Sequence, residues 1–379
     1  MYCDLYLPFP TSSPGAGPST TATSKKGKAK AVVAPVENVN RNCWEGLTQK
    51  EKEDADKTFA LAGHLGYTLV ANSIPSTRTT TVVPNPFSIQ VPYPQLDPRF
   101  SKEAAGSRRL VQLSRLTITL DDSTQHGLNA TNTAALSAYD IIAVIPTTVN
   151  SFSNACLKLT EPGPNQVSII SLPLHQSHRM PFFAKRSLIK TALRNGAVFE
   201  IPYAQALGTS DPSLARKYRQ NFLTNAREVI RVVMAVSGGG GRDGITGSRG
   251  KGGGGIVFSS GVGVAGGLAG VGMRSPADLI NLAVILGMPS NQAKDAVAYT
   301  PKAVLLKAQA RKAHKGVTAI PKIVPGEPGT TDAMVDTDAS GGNAMVDDEK
   351  SSKRRRDEAL GTEQDDEKAK RTKVKALAA

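Results

Sequence analysis

The chain has 379 residues, room for one barrel-sized domain or two ordinary ones. Its 46 Lys and Arg against 32 Asp and Glu give a formal charge of +14, which suits a polyanionic partner better than the turnover of a small metabolite. No apolar run reaches the roughly 18–20 residues that span a bilayer, and the opening MYCDLYLPFP lacks the order of a signal peptide, so no membrane partner is expected.

The elements alternate along the chain. A strand at Tyr2–Leu7 is followed by a Pro-, Ser- and Lys-rich insertion at 8–42, a helix near 48–65 and a strand at Tyr67–Asn72. The third strand is read at Leu116–Leu120, opened by Arg115; then come a helix near 127–137 and a strand at Asp140–Ile145. A helix near 150–159 leads to a strand at Val167–Leu172, and one near 186–194 turns through Asn195-Gly196 into a strand at Ala197–Ile201. The helix at 212–236 is the clearest. Ala215, Tyr218, Phe222, Ala226, Val229 and Val233 recur at three- and four-residue steps, with Arg216, Arg219, Arg227 and Arg231 elsewhere on its surface. A Gly-rich insertion at 237–255 precedes the strand Ile256–Ser260, a helix at 276–287 and a helical pair across 290–313. Residues 318–379 form a charged tail. The two insertions and the tail lack the apolar content to offset ordering entropy and are expected to be disordered.

Short, mostly apolar strands separated by helices predict a parallel sheet covered on both sides. Repeated βα units favour a TIM-type α/β barrel over residues 1–317, with seven strands evident and an eighth not; a doubly wound open sheet is the rival.

Chemistry-bearing motifs are scarce. Cys3, Cys43 and Cys156 have no CxxC spacing, and the five histidines are scattered, so neither a disulfide framework nor a metal centre is expected. The sequon Asn129-Ala130-Thr131 would matter only in a secreted chain. Gly261-Val262-Gly263-Val264-Ala265-Gly266 has the dinucleotide spacing after a strand, but more glycine follows where a helix is required. The P-loop pattern fails at Gly252 and Ile245. No cofactor is expected.

Cations carry the sharper signal. Lys185, Arg186, Lys190 and Arg194 fall on or beside one helix; Ser259, Ser260 and Gly261 end a barrel strand; Arg274 precedes the helix start Ser275-Pro276. Together with Arg115 these are the candidate RNA or phosphate contacts, because loops after the last strands of a barrel and a nearby helix start are where this fold most often holds phosphate. Asp278 in the same first turn competes with an anion there. With aromatics at 5%, recognition through backbone and shape is expected rather than stacking on exposed rings. In the tail, Lys353, Arg354, Arg355 and Arg356, then Lys368, Lys370, Arg371 and Lys373, have the spacing of a bipartite nuclear-import signal.

The pieces AGHLGYTLVANS, SRLTITLDD, YDIIAVIPTT, VSIISLP, PFFAKRSLIKTALRNGAVFEIPY, YRQNFLTNAREVIRVV, IVFSSG and RSPADLINLAVILGM, of which the fifth is the most specific, resemble, in this order, the thirty-kilodalton-class protein subunit family of ribonuclease P and ribonuclease MRP. The resemblance implies a TIM barrel inside a nuclear, in part nucleolar, ribonucleoprotein. It implies ribonuclease P/MRP RNA, precursor tRNA and a small α/β protein subunit as partners, with 5′-leader removal performed by the RNA. The family's fold is similar to metal-dependent barrels that begin Asp-Leu-His-x-His. Here the run is Asp4-Leu5-Tyr6-Leu7-Pro8, with both imidazoles lost, which implies a subunit without its own catalytic metal. A barrel phosphohydrolase and a ribosome-assembly factor are the alternative readings.

Overall fold

Seven parallel strands lie side by side in the order in which the chain makes them. The computed structural model describes residues 1–10, 43–76, 81–100, 109–122, 126–207, 211–237, 254–261 and 272–312. All belong to one unit, Met1–Pro321. The expected insertions fall outside the described residues except at 8–10, 237, 254 and 255, as do the Gly-rich motif beyond Gly261 and the whole charged tail.

The elements are β1 (Tyr2–Pro8), α1 (Gln49–His64), β2 (Tyr67–Ser76), β3 (Val111–Leu120), α2 (Thr133–Ser137), β4 (Ile141–Pro146), α3 (Val149–Asn154), β5 (Ile169–Ser171), α4 (Arg186–Arg194), β6 (Val198–Pro202), α5 (Pro212–Ser237), β7 (Ile256–Ser259), α6 (Pro276–Ile285), α7 (Ser290–Val297) and α8 (Tyr299–Ala310). All seven expected strands form. β2 and β3 run longer than their apolar stretches suggest, because they share a ladder from Leu69↔Val111 to Ser76↔Ile118. Arg115 therefore sits in the middle of β3 and does not open it.

Helix ends follow local chemistry. Thr48 and Glu51 form a reciprocal capping box on α1. After α4, Gly196 adopts φ +88°, a conformation open to glycine; a Cβ there would also meet the Lys307 ammonium at 2.5 Å.

Two cores result from the alternation of side chains along each strand. One parity contributes Cys3, Leu5, Leu69, Leu113, Ile141, Ile169, Val198 and Val257, so every strand supplies the lumen. The other parity, with Val70, Leu116, Ile142, Ile170, Phe199 and Phe258, packs outward against the helices. Val304 of α8 joins the lumen cluster, and α8 touches β1, β4 and β7, so this helix closes the end where the strands begin.

Above the apolar layer the lumen holds a buried ion pair. Arg115 on β3 reaches Glu200 on β6 through two parallel bonds of 2.6 Å, and neither side chain is exposed. Its Nε donates to Thr117 at 2.9 Å, Nη1 donates to the Leu5 carbonyl, and the guanidinium lies 4.2 Å from the centre of the Tyr6 ring.

Among the described residues no eighth strand fills the gap between β7 and β1. A carboxylate and a few local bonds close the ring there. The Asp4 carboxylate accepts from the Tyr6 and Ser260 amides, both at 3.1 Å, while the Gly261 amide donates to the Tyr6 carbonyl at 2.9 Å. A bulge between Asp4 and Leu7 makes this possible by turning β1 locally.

Replacing Arg115 with Ala leaves Glu200 charged and unpaired in the lumen, and should cost about 3–5 kcal/mol in urea unfolding. Pairing Arg115→Met with Glu200→Leu should recover most of that loss; a double variant no more stable than Arg115→Ala would show that something other than the orphaned charge sets the cost.

Candidate nucleic-acid interface

A surface that holds a polyanion needs cations that the fold itself does not neutralise. α4 supplies a column of them. Ile189 and Ala192 are buried, which turns Arg186, Lys190 and Arg194, spaced by four residues, to the outside. Lys185 precedes them, also exposed, and none of the four forms an ion pair among the described residues. No acidic residue occurs between Glu161 and Glu200, and Glu200 is sealed in the lumen.

The neighbouring α5 extends this surface. It packs against α4 and exposes Arg216, Lys217, Arg219 and Arg227, none in an ion pair among the described residues. Its single acid, Glu228, is taken by Arg231 at 2.7 Å. Asn225 donates to the carbonyls of Leu174 at 2.9 Å and Ser177 at 3.1 Å, and Asn221 donates to His175 at 3.1 Å. These bonds fix the β5–α4 connection to α5. Sequence reasoning passed over both asparagines, although two amides four residues apart beside Phe222 and Ala226 on a core-facing stripe are a signal of backbone contacts.

The other candidates fare differently. Arg115 is corrected outright: its charge is spent on Glu200 and it has no exposed surface, so it does not contact phosphate. Ser259 and Ser260 are likewise fully buried; Ser260 and Gly261 close the β7–β1 seam instead of facing an anion.

Arg274 is exposed, with its backbone held between two phenols. Its amide donates to the Tyr203 hydroxyl and its carbonyl accepts from the Tyr67 hydroxyl, both at 2.8 Å. Ser275 caps α6 by accepting from the Asp278 amide at 3.2 Å, and donates to the Asp278 carboxylate at 2.9 Å. That helix start is thus occupied by its own carboxylate. Because α4 runs back along the barrel for about 12 Å, Lys185 and Arg186 share the strand-exit end with Arg274. Arg194 lies at the opposite end, close to Gly196. The sequence candidates do not form a single patch.

Among the described residues no three His, Cys, Asp or Glu side chains are grouped to hold a metal. Burial pushes the Cys3 and Cys43 thiols up to about 11 and Cys156 to about 12, far from reactive thiolates. Tyr6, at the first lost imidazole position, lies against the Arg115 guanidinium. Burial raises the Asp4 carboxyl to about 6, opposed by its bonds from Ser260 and Tyr6.

Residues 1–239 match the family model for RNase P subunit p30. The chain belongs to that family. Among relatives, it is 25% identical over 263 residues to the ribonuclease P protein subunit p30 of Mus musculus, covering 69% of this chain and 83% of that one. It is 25% identical over 257 residues to the probable ribonuclease P protein subunit 3 of Schizosaccharomyces pombe, covering 68% and 87%. A chain in a cryo-EM structure of archaeal ribonuclease P with mature tRNA aligns over 73% of this chain and 95% of its own length, at 16% identity and a TM-score of 0.45. The p30 match runs from β1 through α5 and so includes both helices of the basic surface.

The seam carboxylate makes a pH signature. A carboxyl raised to about 6 in the folded state, against about 3.9 unfolded, stabilises the fold fully below pH 4 and loses that contribution as pH rises through 6. Asp4→Asn should remove this dependence, so that the variant gains on the wild type by roughly 2–3 kcal/mol between pH 4 and 7 in urea unfolding. Parallel stability curves for the two proteins over that range would refute the assignment.

Proposed function

We propose that this p30-family chain is a non-catalytic, RNA-binding subunit of ribonuclease P that holds structured RNA against α4 and α5. The observation that carries this reading is the column Arg186, Lys190 and Arg194, exposed, free of ion pairs among the described residues, and continued by the arginines of α5. Cations in this arrangement release counterions on meeting a phosphate backbone. The bound RNA is ribonuclease P or MRP RNA together with precursor tRNA. The RNA performs the 5′-leader cleavage, and related rRNA processing in MRP; a small α/β subunit is the protein neighbour.

Replacing Arg186, Lys190 and Arg194 together with Ala should lower the slope of log affinity against log salt by about 2–3, at roughly 0.7–0.9 per phosphate contact. The titration uses ribonuclease P RNA, with circular dichroism confirming the fold. An unchanged slope in a folded variant would place the RNA elsewhere.

The reading also assigns the work to the nucleus and nucleolus. Lys353, Arg354, Arg355 and Arg356 with Lys368, Lys370, Arg371 and Lys373 act as a bipartite import signal, in a tail outside the described residues. Deleting 350–379 should move the tagged protein to the cytoplasm while its RNA affinity stays within about twofold of wild type, since the barrel cations that meet phosphate remain. Unaltered nuclear accumulation in cells where partner-borne entry is blocked would remove this part of the reading.

A further inference from the structure

The segment leading into α4 alternates between core and solvent. Phe182 and Ala184 are buried, and Phe182 stacks on Phe152 with ring centres 4.2 Å apart. Phe183 and Lys185, between and after them, point outward. Phe183 is 73% exposed, more than any other large hydrophobic side chain among the described residues. Phe100, the next most exposed aromatic, at least has the Arg99 guanidinium 5.5 Å from its ring centre. Leu306 and Ile285 are aliphatic and present no π face.

The Phe183 backbone is also held in place. Its neighbour Phe182 anchors the chain in the core, and the Lys185 amide donates to the Phe183 carbonyl at 2.9 Å. That bond closes a three-residue turn about Ala184, which keeps the exposed Lys185 beside the exposed Phe183, within the reach from a nucleobase to its own phosphate, and Arg186 follows directly. An aromatic face set among unneutralised cations matches the chemistry of an unstacked nucleotide: base on the ring, phosphate on the ammonium. An acidic protein segment could meet the cations but would leave the π face unused.

We propose that Phe183 is a stacking platform for one unpaired nucleobase, with Lys185 and Arg186 neutralising the adjacent phosphates. This deepens the RNA-binding reading above and rests on it. It also revises the expectation that backbone and shape alone carry recognition: one exposed ring, correctly placed, adds a requirement for an unpaired base.

The test uses the full-length protein and two RNA hairpins of equal length and charge, one fully paired and one with a single bulged adenosine, each titrated over a salt series. Wild-type protein should prefer the bulged RNA by roughly 5- to 100-fold. Phe183→Ala should abolish that preference without changing the salt slope, Phe183→Tyr should keep it, and Phe183→Leu should not restore it. A wild type that binds both hairpins alike, a preference retained by Phe183→Ala, or full rescue by Leu each overturns the platform. So does a Phe183→Ala protein that binds RNA normally but loses a protein subunit on affinity purification, which assigns the ring to a protein contact. If Phe183→Ala is neutral while the Arg186, Lys190 and Arg194 variant still loses slope, the platform fails and the RNA surface stands; if that slope is also unchanged, the RNA-binding reading of this face falls with it.

Discussion

The ion pair between Arg115 and Glu200 governs this barrel. A guanidinium and a carboxylate removed from water are costly unless each satisfies the other, and the bidentate geometry at 2.6 Å does so across the lumen. The same guanidinium also engages the Leu5 carbonyl and the Tyr6 ring, so one side chain ties β1 and β6 to β3. Strands far apart in the ring are thereby fixed in relative height. The pair also sets the outer electrostatics: with Glu200 drawn inside, the helix preceding its strand faces solvent with no nearby acid in sequence to neutralise it.

Much of the architecture was legible in the chain. β-branched runs located all seven strands, and the spacing in α5 located its buried face. Less legible were the long ends of β2 and β3, where Ser73, Ser76, Gln112 and Ser114 are polar residues that enter strands only because the partner ladder exists. Arg115 was misread because a lone charge in a strand resembles a surface residue. The corrective signal was acid inside apolar strands, Glu200 in Val-Phe-Glu-Ile-Pro and Asp4 in Tyr-Cys-Asp-Leu-Tyr-Leu-Pro. A cation in one such strand implies that it meets an acid in another, and Arg115 meets Glu200. Ser259 and Ser260 were misread for a related reason: a strand end in a barrel suggests a ligand site, but here that end is occupied by the protein's own groups.

That occupation bears on how this fold is used. Barrels of this class normally work at the end where the strands exit. In this chain Asp4 accepts from Ser260, two phenols hold the backbone of Arg274, and Asp278 occupies the start of α6. Among the described residues, each of these groups at that end is engaged by another part of the protein. What the chain offers instead is a rigid wall of helices: Asn221 and Asn225 hold the connection before α4, and the core anchors Phe182. In the RNA-binding reading proposed above, the barrel is a frame that presents charge at fixed spacing.

The β7–β1 seam gives the frame a particular mechanical character. Each of the other strand junctions is a backbone ladder, in which hydrogen bonds reinforce one another along the strands. The seam instead depends on the carboxylate of Asp4 and a few local bonds. Cooperative units open first where their hydrogen bonds are fewest. Among the described strands the ring therefore yields first at this seam, like a split washer flexing at its single cut.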